Sequence, residues 1–577
     1  MWAFLRRIRQ LSGTETVSLL SWLGALGTLR YRIPYGVCHT DEAFYSALPY
    51  SFLIGNRPYL DERTVHQNAG ILLVPLYRLY LAIAGSSDGI ILFNRYLYLT
   101  YVAVASLLTW RLVRRIANFS SGCWAAALLV CFGYFNLFTL GYNMMGALGF
   151  ICGVLLSAHA LLGARPGREL FVANLFFLSA IFSYPALFIV LLPYNLAVVA
   201  WLYWKCPSAT MKSGLFGLGS ALLAALAIFV PFAFWFAGPR YERVHGLQVG
   251  QGYGLLSGLS RLDFYHSPAW GWRPALLAFS ALFVLVPLAC RWLQRGVWLV
   301  APLSALSCLA CYRLGFDLGA ITKAMFFFMA IPVLAPVCVA LNREWPHGRF
   351  LLVLVWAPSV LSMLVSTYSS GNGWFAALLG ALGAVISGVA AFGALLEARA
   401  ASNVKAGQAY QFVLIAFAGA CLALEVHSMF AYVYSQTITP FASHDTRVKS
   451  GPMRGTIGTS AHAEFAETIH RDLKDAAEHG QTLTIFDSFP SGYLSTKLRP
   501  KTWSLWIIWG IPVPLRKQLM AETFGDPAQL PELVLKIGIE PESKPLWPKY
   551  ERGHYHKLLE RKEFGYVIMQ RNDLRAK

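Results

Sequence analysis

The chain has 577 residues, of which 56% are hydrophobic and only 13% are charged. Soluble domains carry about 25% charged residues, so this composition excludes a cytosolic enzyme, a small disulfide-stapled secreted domain and a disordered chain. A large bundle of membrane helices with an attached soluble part is the class that fits.

The net charge of +19 does not indicate nucleic-acid binding, because of where it lies. Residues 1–436 carry 28 Lys+Arg and 13 Asp+Glu, a net +15, whereas residues 437–577 carry 20 and 16, a net +4. The excess belongs to the hydrophobic part of the chain. Positive charge between apolar segments sets the orientation of membrane helices.

Thirteen apolar segments are long enough to cross a membrane, which takes about 20 residues. They are 14–33, 88–110, 122–140, 142–163, 168–184, 186–204, 213–237, 273–290, 296–312, 319–341, 350–366, 374–396 and 409–436. With a cytoplasmic N-terminus, every inner connection carries at least two positive residues, as the positive-inside rule requires. Two long loops, 34–87 and 238–272, and the tail 437–577 then lie outside.

The apolar stretch Ala69–Ala84 is predicted to lie in or dip into the outer leaflet. Counting it as a full span would invert every later segment and place the Arg111–Arg115 cluster outside, against the positive-inside rule. The first outer loop therefore contains a membrane-associated helix.

The tail 437–577 is predicted to be a separate soluble α/β domain on the outer face. Ala461–Glu478 has the periodicity of an amphipathic helix, and Thr482–Phe486 is a β-type run. Leu533–Ile539 and Tyr566–Met569 are further candidate strands.

Two adjacent acids, Asp41 and Glu42, follow the first span by about eight residues, on a segment that continues with Phe44 and Tyr45. A carboxylate near the membrane surface can act as a general base on an acceptor hydroxyl. It can also coordinate a metal or simply be solvated, and the residues alone leave these alternatives open.

The acidic pair after the first span, the segment Gly55–Tyr59 that follows it, and the long polytopic body with an outer C-terminal domain resemble the GT-C glycosyltransferases. This superfamily includes protein O-mannosyltransferases, the lipid A aminoarabinose transferase and mycobacterial arabinofuranosyltransferases. The resemblance implies a polyprenyl-phosphate sugar donor and an inverting transfer. It also implies Asp41 as the catalytic base, with Glu42 as its orienter or substitute.

The leaving lipid phosphate carries negative charge, so cations at the outer surface are candidates to stabilise it. The predicted donor-phosphate-binding residues are Arg57, His66, Arg240, Arg243, Arg313 and Lys323. Many GT-C enzymes have a Lys-Pro-Pro or similar motif before the segment that matches Ala69–Ala84. Here residues 64–68 read Thr-Val-His-Gln-Asn, so phosphate binding would depend on other cations. Snorkelling to head groups is an alternative role for Arg313 and Lys323.

Polar, glycine-bearing turns at the outer helix ends are candidates to line a sugar pocket. The predicted sugar- or acceptor-binding residues are Tyr45, Tyr142, Asn143, Tyr184 and Asn372. Tight helix connections need the same residue types without any ligand.

The sequence therefore predicts an inverting glycosyltransferase of the bacterial inner membrane. It would transfer a pentose such as arabinofuranose, or a hexose such as mannose, to an extracytoplasmic glycan, lipid or protein. An oligosaccharyltransferase or glycan ligase of the same superfamily is one alternative, and a transporter or lipid flippase is another. No cofactor or metal site is predicted, and the sequence leaves open whether a divalent metal assists.

Overall fold

A computed structural model describes most of the chain. The described residues are 11–64, 66–163, 166–232, 234, 259–263, 273–293, 296–314, 320–402, 406–431, 433–434, 440–486, 489–506, 513–538 and 553–574. The predicted phosphate-binding residues Arg240 and Arg243, and most of the second outer loop, lie outside them.

Among the described residues, ten helices are long and apolar enough to cross a membrane. They are Ile90–Ile116, Tyr142–Leu161, Pro185–Lys205, Ser208–Pro231, Arg273–Trp292, Val297–Leu314, Lys323–Leu341, Gly348–Ser369, Gly373–Ser402 and Gly407–Ala431. Large apolar side chains on their outer faces are exposed, such as Leu196 at 63% and Phe216 at 77%. Such surfaces require lipid instead of water, so the chain is a polytopic membrane protein.

Three further predicted spans also coincide with helices, at Gly13–Arg32, Phe119–Cys131 and Pro166–Ser183. These three are too short or too polar to join the ten, so thirteen membrane crossings stay a prediction. The predicted span 122–140 extends too far, because its helix ends at Cys131. Phe135 and Asn136 then adopt positive φ angles of 53° and 57°, which no helix can contain.

The first outer loop contains two helices, Asp41–Leu53 and Gln67–Ala84. The second confirms that Ala69–Ala84 is helical, and its Leu79 and Ile83 are exposed at 58% and 78%. Its insertion in the outer leaflet stays a prediction.

The C-terminal residues form the helices Ser460–Ala476, Ser491–Leu494 and Val513–Phe524 beside a small mixed sheet. The strands are β1 (Thr446–Arg447), β2 (Ile457–Gly458), β3 (Thr482–Phe486), β4 (Arg499–Pro500), β5 (Leu533–Ile537), β6 (Tyr555–Arg561) and β7 (Tyr566–Arg571). Strands β1 and β2 form an antiparallel pair, and the other five have the order β4-β3-β5-β7-β6. β3 is parallel to β4 and β5, and the remaining pairs are antiparallel. The predicted α/β fold is therefore confirmed.

The first outer loop is hydrogen-bonded directly to the C-terminal residues. The backbone N–H of Gly36 donates to the Ile457 carbonyl, and the N–H of Ile457 donates to the Pro34 carbonyl. The Tyr50 hydroxyl donates to the Thr496 carbonyl at 2.8 Å. These bonds hold the loop against the sheet, while the exact domain boundary near residue 437 stays a prediction.

Candidate active site

The Asp41 carboxyl group lies at the first residue of the helix Asp41–Leu53. Its Oδ2 accepts a 2.5 Å hydrogen bond from the hydroxyl of Tyr434, which follows the last membrane helix. Burial raises the pKa of the Asp41 carboxyl above its ordinary value, and the Tyr434 hydrogen bond opposes that rise. A raised pKa makes a carboxylate a better proton acceptor near neutral pH.

Glu42 is in a different environment, although it is the next residue. Its two carboxylate oxygens each accept a 2.6 Å hydrogen bond from the Arg95 guanidinium, and both side chains are buried. Arg95 also donates to the carbonyls of Ile33 and Gly36, both at 2.8 Å. The pair therefore ties the end of the first helix to the start of the helix that carries Asp41. Both oxygens of Glu42 are engaged in this positioning contact.

Gly36 allows the backbone to reach Arg95. Its φ is +109°, and a Cβ at this position would lie 2.6 Å from Cγ1 of Val433. A side chain there would therefore push apart the loop and the segment that bears Tyr434.

A row of aromatic rings extends from Asp41 towards the membrane helices. Tyr45, one helical turn after Asp41, contacts Tyr142 edge-on at 5.7 Å between ring centroids. Tyr142 stacks on His66 at 3.7 Å and on Tyr184 at 6.1 Å. Gly141 is required here, because a Cβ would lie 2.5 Å from the Tyr45 ring. Stacked rings of this kind form a typical platform for the apolar face of a sugar.

Polar side chains lie at the edge of this aromatic cluster. The Asn372 side-chain amide donates to the Tyr134 hydroxyl at 3.0 Å, and the Tyr184 hydroxyl is 2.9 Å from the Ser369 hydroxyl. The Tyr134 hydroxyl lies near both Asp41 and Tyr184. The structure thus brings Tyr45, Tyr142, Tyr184 and Asn372 together around Asp41. Asn143, the fifth predicted residue, follows Tyr142 on its first helical turn and is partly buried.

The predicted phosphate-binding cations do not form one group. Arg57 is exposed and pairs with Asp61 at 2.9 Å, away from the aromatic row. Arg313 is exposed near the end of its helix, and the Lys323 ammonium lies 4.9 Å from the centre of the Tyr312 ring. Of the described candidates, His66 alone contacts the cluster. Burial lowers the pKa of His66 to about 4, so the ring is neutral at pH 7 and can donate one hydrogen bond.

Three residues of the site were not predicted from the sequence: Arg95, Tyr434 and Tyr134. Arg95 lies inside the predicted span 88–110, and an ionisable residue within a span is by default a functional candidate. The position of Arg95 within a span could therefore have identified it as a candidate site residue. Tyr434 and Tyr134 lie at helix ends among many other aromatic residues, and no local pattern distinguishes them.

Metal binding finds no support in the described part of the chain, where no three His, Cys, Asp or Glu side chains converge. Asp41 has Tyr434 as its partner, and Glu42 has Arg95. No reaction step is therefore derived through a metal.

Comparison with protein-family models finds no match for this sequence, and comparison with curated proteins finds none either. Among solved structures, the chain is similar to an oligosaccharyltransferase of Archaeoglobus fulgidus, crystallised with Zn and sulfate. The identity is 13% and the TM-score 0.49, over 94% of this chain and 71% of that one. It is also similar to the oligosaccharyltransferase AglB of the same organism, in complex with an inhibitory peptide and a dolichol-phosphate. Here the identity is 12% and the TM-score 0.48, over 90% of this chain and 69% of that one.

Proposed function

We propose that this chain is an inverting glycosyltransferase of GT-C type that uses a polyprenyl-phosphate sugar donor. The observation that carries the proposal is the environment of Asp41. A partly buried carboxyl group with a raised pKa lies at the edge of an aromatic cluster, within a polytopic membrane protein. That combination suits a general base next to a sugar-binding surface.

The Asp41 carboxylate accepts the proton of an acceptor hydroxyl. The acceptor oxygen then attacks the anomeric carbon of the donor sugar, and a new C–O bond forms on the face opposite the leaving group. The bond between that carbon and the phosphate oxygen breaks, and the lipid phosphate departs with the electron pair. The configuration of the sugar is inverted.

The other residues of the site position these groups. Tyr434 donates to Oδ2 of Asp41 and orients the carboxylate. The Glu42–Arg95 pair fixes the helix start that carries the base. The cluster of Tyr45, Tyr142, Tyr184 and His66 offers aromatic surface for the transferred sugar, and the neutral ring of His66 can donate to a phosphate oxygen. Arg240, Arg243, Arg313 and Lys323 are proposed to neutralise the phosphate.

In the proposed orientation, the N-terminus is cytoplasmic and the C-terminal domain faces the outside of a bacterial inner membrane. The domain would then meet an extracytoplasmic acceptor. Proteolysis of right-side-out and inverted vesicles tests this directly. Cleavage of the C-terminal residues in inverted vesicles alone would overturn the orientation.

The deciding experiment measures sugar transfer by the purified chain and its Asp41→Asn variant. Donors are polyprenyl-phosphate arabinofuranose, polyprenyl-phosphate mannose and a lipid-linked oligosaccharide, so that the assay separates single-sugar from oligosaccharide transfer. Asp475→Asn is the matched control, because Asp475 is exposed on the helix Ser460–Ala476. Loss of about 10³-fold or more in Asp41→Asn, with donor binding retained, is the expected result. Equal turnover in the two variants would refute the mechanism.

A further inference from the structure

A cleft separate from the candidate active site lies between the first outer loop and the C-terminal sheet. Its volume is about 440 Å³. The loop contributes Arg57 and Arg63, and the sheet side contributes Arg499 and Lys501 at strand β4. Two parts of the chain more than 400 residues apart thus place four basic side chains around one space.

The acids of the cleft only partly balance these cations. Asp61 accepts from Arg57 and from Arg499, each at 2.9 Å, and Glu522 accepts from Arg63 at 2.7 Å. Four basic groups therefore face two acidic ones.

Lys501 has no ion-pair partner among the described residues. Burial is the main cause that lowers the pKa of its ammonium group; the charges of Arg499 and Arg571 add to this effect, and those of Asp526 and Asp61 oppose it. An anion in the cleft would pair with this ammonium group.

The remaining lining suits a sugar. The hydroxyl-bearing residues Thr482, Thr502 and Thr523 lie beside the basic groups. Trp503 forms part of the wall.

The cleft is connected to the candidate active site through the backbone. Arg63 lies three residues before His66, which stacks on Tyr142. On the other side, Trp503 is followed three residues later by Trp506, whose ring is 5.3 Å from that of Phe44, the neighbour of Tyr45. A ligand held in the cleft would thus contact the two segments that shape the Asp41 site.

We infer that this cleft binds a phosphate-bearing sugar of the acceptor. Arginine guanidinium groups and a lysine ammonium are the side chains that best recognise phosphate. Asp61 and Glu522 hold three of these cations in place, and Lys501 supplies the uncompensated charge. The acceptor assignment rests on the proposed function, whereas binding of the phosphorylated sugar does not.

The test is calorimetric titration of the full-length Asp41→Asn variant in detergent with glucose 6-phosphate, with glucose as the neutral probe. Saturable binding is expected for the phosphorylated sugar alone. Lys501→Gln should weaken it about tenfold, equivalent to ~1.4 kcal/mol. Lys497→Gln is the matched control, because Lys497 is exposed and lies outside the cleft. Its affinity should equal that of the parent.

Absence of binding, or equal affinity in the Lys501→Gln and Lys497→Gln variants, would overturn the inference. Equal affinity for inorganic phosphate and glucose 6-phosphate would overturn the sugar component. If nanodiscs containing phosphatidylglycerol abolish glucose 6-phosphate binding and nanodiscs of phosphatidylcholine do not, the cleft holds a lipid head group and the acceptor assignment falls. If binding persists while Asp41→Asn leaves sugar transfer unchanged, the proposed function fails and the binding site stands.

Discussion

The Tyr434 hydroxyl donates a 2.5 Å hydrogen bond to Asp41, although the two residues are 393 positions apart in the chain. One lies just after the first long helix, and the other lies just after the last. The bond therefore closes the helical bundle at the point where the candidate base is located. It also stabilises the ionised form of a carboxyl group that burial disfavours.

Tyr434→Phe should make the candidate base harder to ionise. The Tyr434 hydroxyl is the largest of the hydrogen bonds that oppose the effect of burial on Asp41, so without it the pKa of the carboxyl group rises further. Because the base works only when ionised, the acid limb of the transfer rate should shift to higher pH. A hydrogen bond to a charged group is worth roughly 1.5–3 kcal/mol, so kcat/KM near pH 6 should fall about tenfold or more.

The pH–rate profile of kcat/KM for Tyr434→Phe and wild type checks this prediction. Tyr31→Phe serves as control, because Tyr31 is exposed and its ring packs on Tyr35 and Phe430. An acid limb at the same pH in wild type and Tyr434→Phe would show that Asp41 is not the titrating base.

Glu42→Gln should lower the stability of the fold, and any loss of transfer activity should follow from that loss of stability. The change leaves the buried Arg95 guanidinium without its counter-ion, and breaking a buried pair from one side typically costs about 3–5 kcal/mol. The Glu42→Gln/Arg95→Gln double variant removes both charges and should recover part of that loss. The measurement is the free energy of unfolding in mixed micelles for the single and double variants. If Glu42→Gln unfolds like wild type yet loses transfer activity, Glu42 takes part in the chemistry instead.

Local patterns in the sequence were sufficient for most of the fold. Strand β3 spans Thr482–Phe486, as the β-type run predicts, and an amphipathic helix occupies Ser460–Ala476. Hydropathy failed after Cys131, where the chain stays apolar but leaves the helix. Apolar composition indicates burial, and it does not report the extended backbone of Phe132, which ends the helix, or the positive φ angles of Phe135 and Asn136 that follow.

The candidate site was predictable only in part. Polar turns at helix ends pointed to Tyr142, Tyr184 and Asn372, because the ends of antiparallel helices meet at one membrane face. The partners of the acidic pair were not foreseen. Arg95 and Tyr434 reach Glu42 and Asp41 through tertiary packing, at separations that no periodicity in the sequence records.

Two adjacent acids of the first loop should differ sharply in their effect on stability. Glu62 is fully buried, and its carboxylate accepts from the backbone N–H groups of Thr64 and Leu505 at 3.0 and 2.9 Å. Glu62→Ala leaves both backbone N–H groups without an acceptor, which should lower the free energy of unfolding by about 1–3 kcal/mol for each. Asp61 instead pairs with the partly exposed Arg57 and Arg499. Pairs of that kind are worth at most about 1 kcal/mol.

Thermal unfolding and limited proteolysis of Glu62→Ala and Asp61→Asn measure this difference. Glu62→Ala should expose residues 499–506 to protease, whereas Asp61→Asn should resemble wild type. Similar cleavage of the two variants would mean that the Glu62 bonds do not hold the loop to the sheet.

Two histidines, the buried His39 and the partly buried His66, should make the fold sensitive to acid. Burial lowers the pKa of His39 to about 3 and that of His66 to about 4, against roughly 6.5 for an unfolded chain. As the pH falls below about 6.5, the two histidines become protonated in the unfolded chain but stay neutral in the folded chain. The free energy of unfolding therefore falls as the pH falls. Each histidine contributes a slope of about 1.4 kcal/mol per pH unit down to its folded pKa. Above about pH 7.5 both rings are neutral in either state, and this contribution is flat.

The measurement is the free energy of unfolding between pH 7.5 and 4.5 for single variants. His39→Gln retains a polar partner for the Ser491 hydroxyl, which lies 2.9 Å from Nδ1 of His39. His66→Phe retains the stack on Tyr142. Each variant should lose one histidine's share of the acid slope, while His479→Gln, at an exposed position, should keep the full slope. An unchanged slope in both His39→Gln and His66→Phe would mean that other groups cause the acid sensitivity, because a histidine absent from the chain cannot bind a proton in either state.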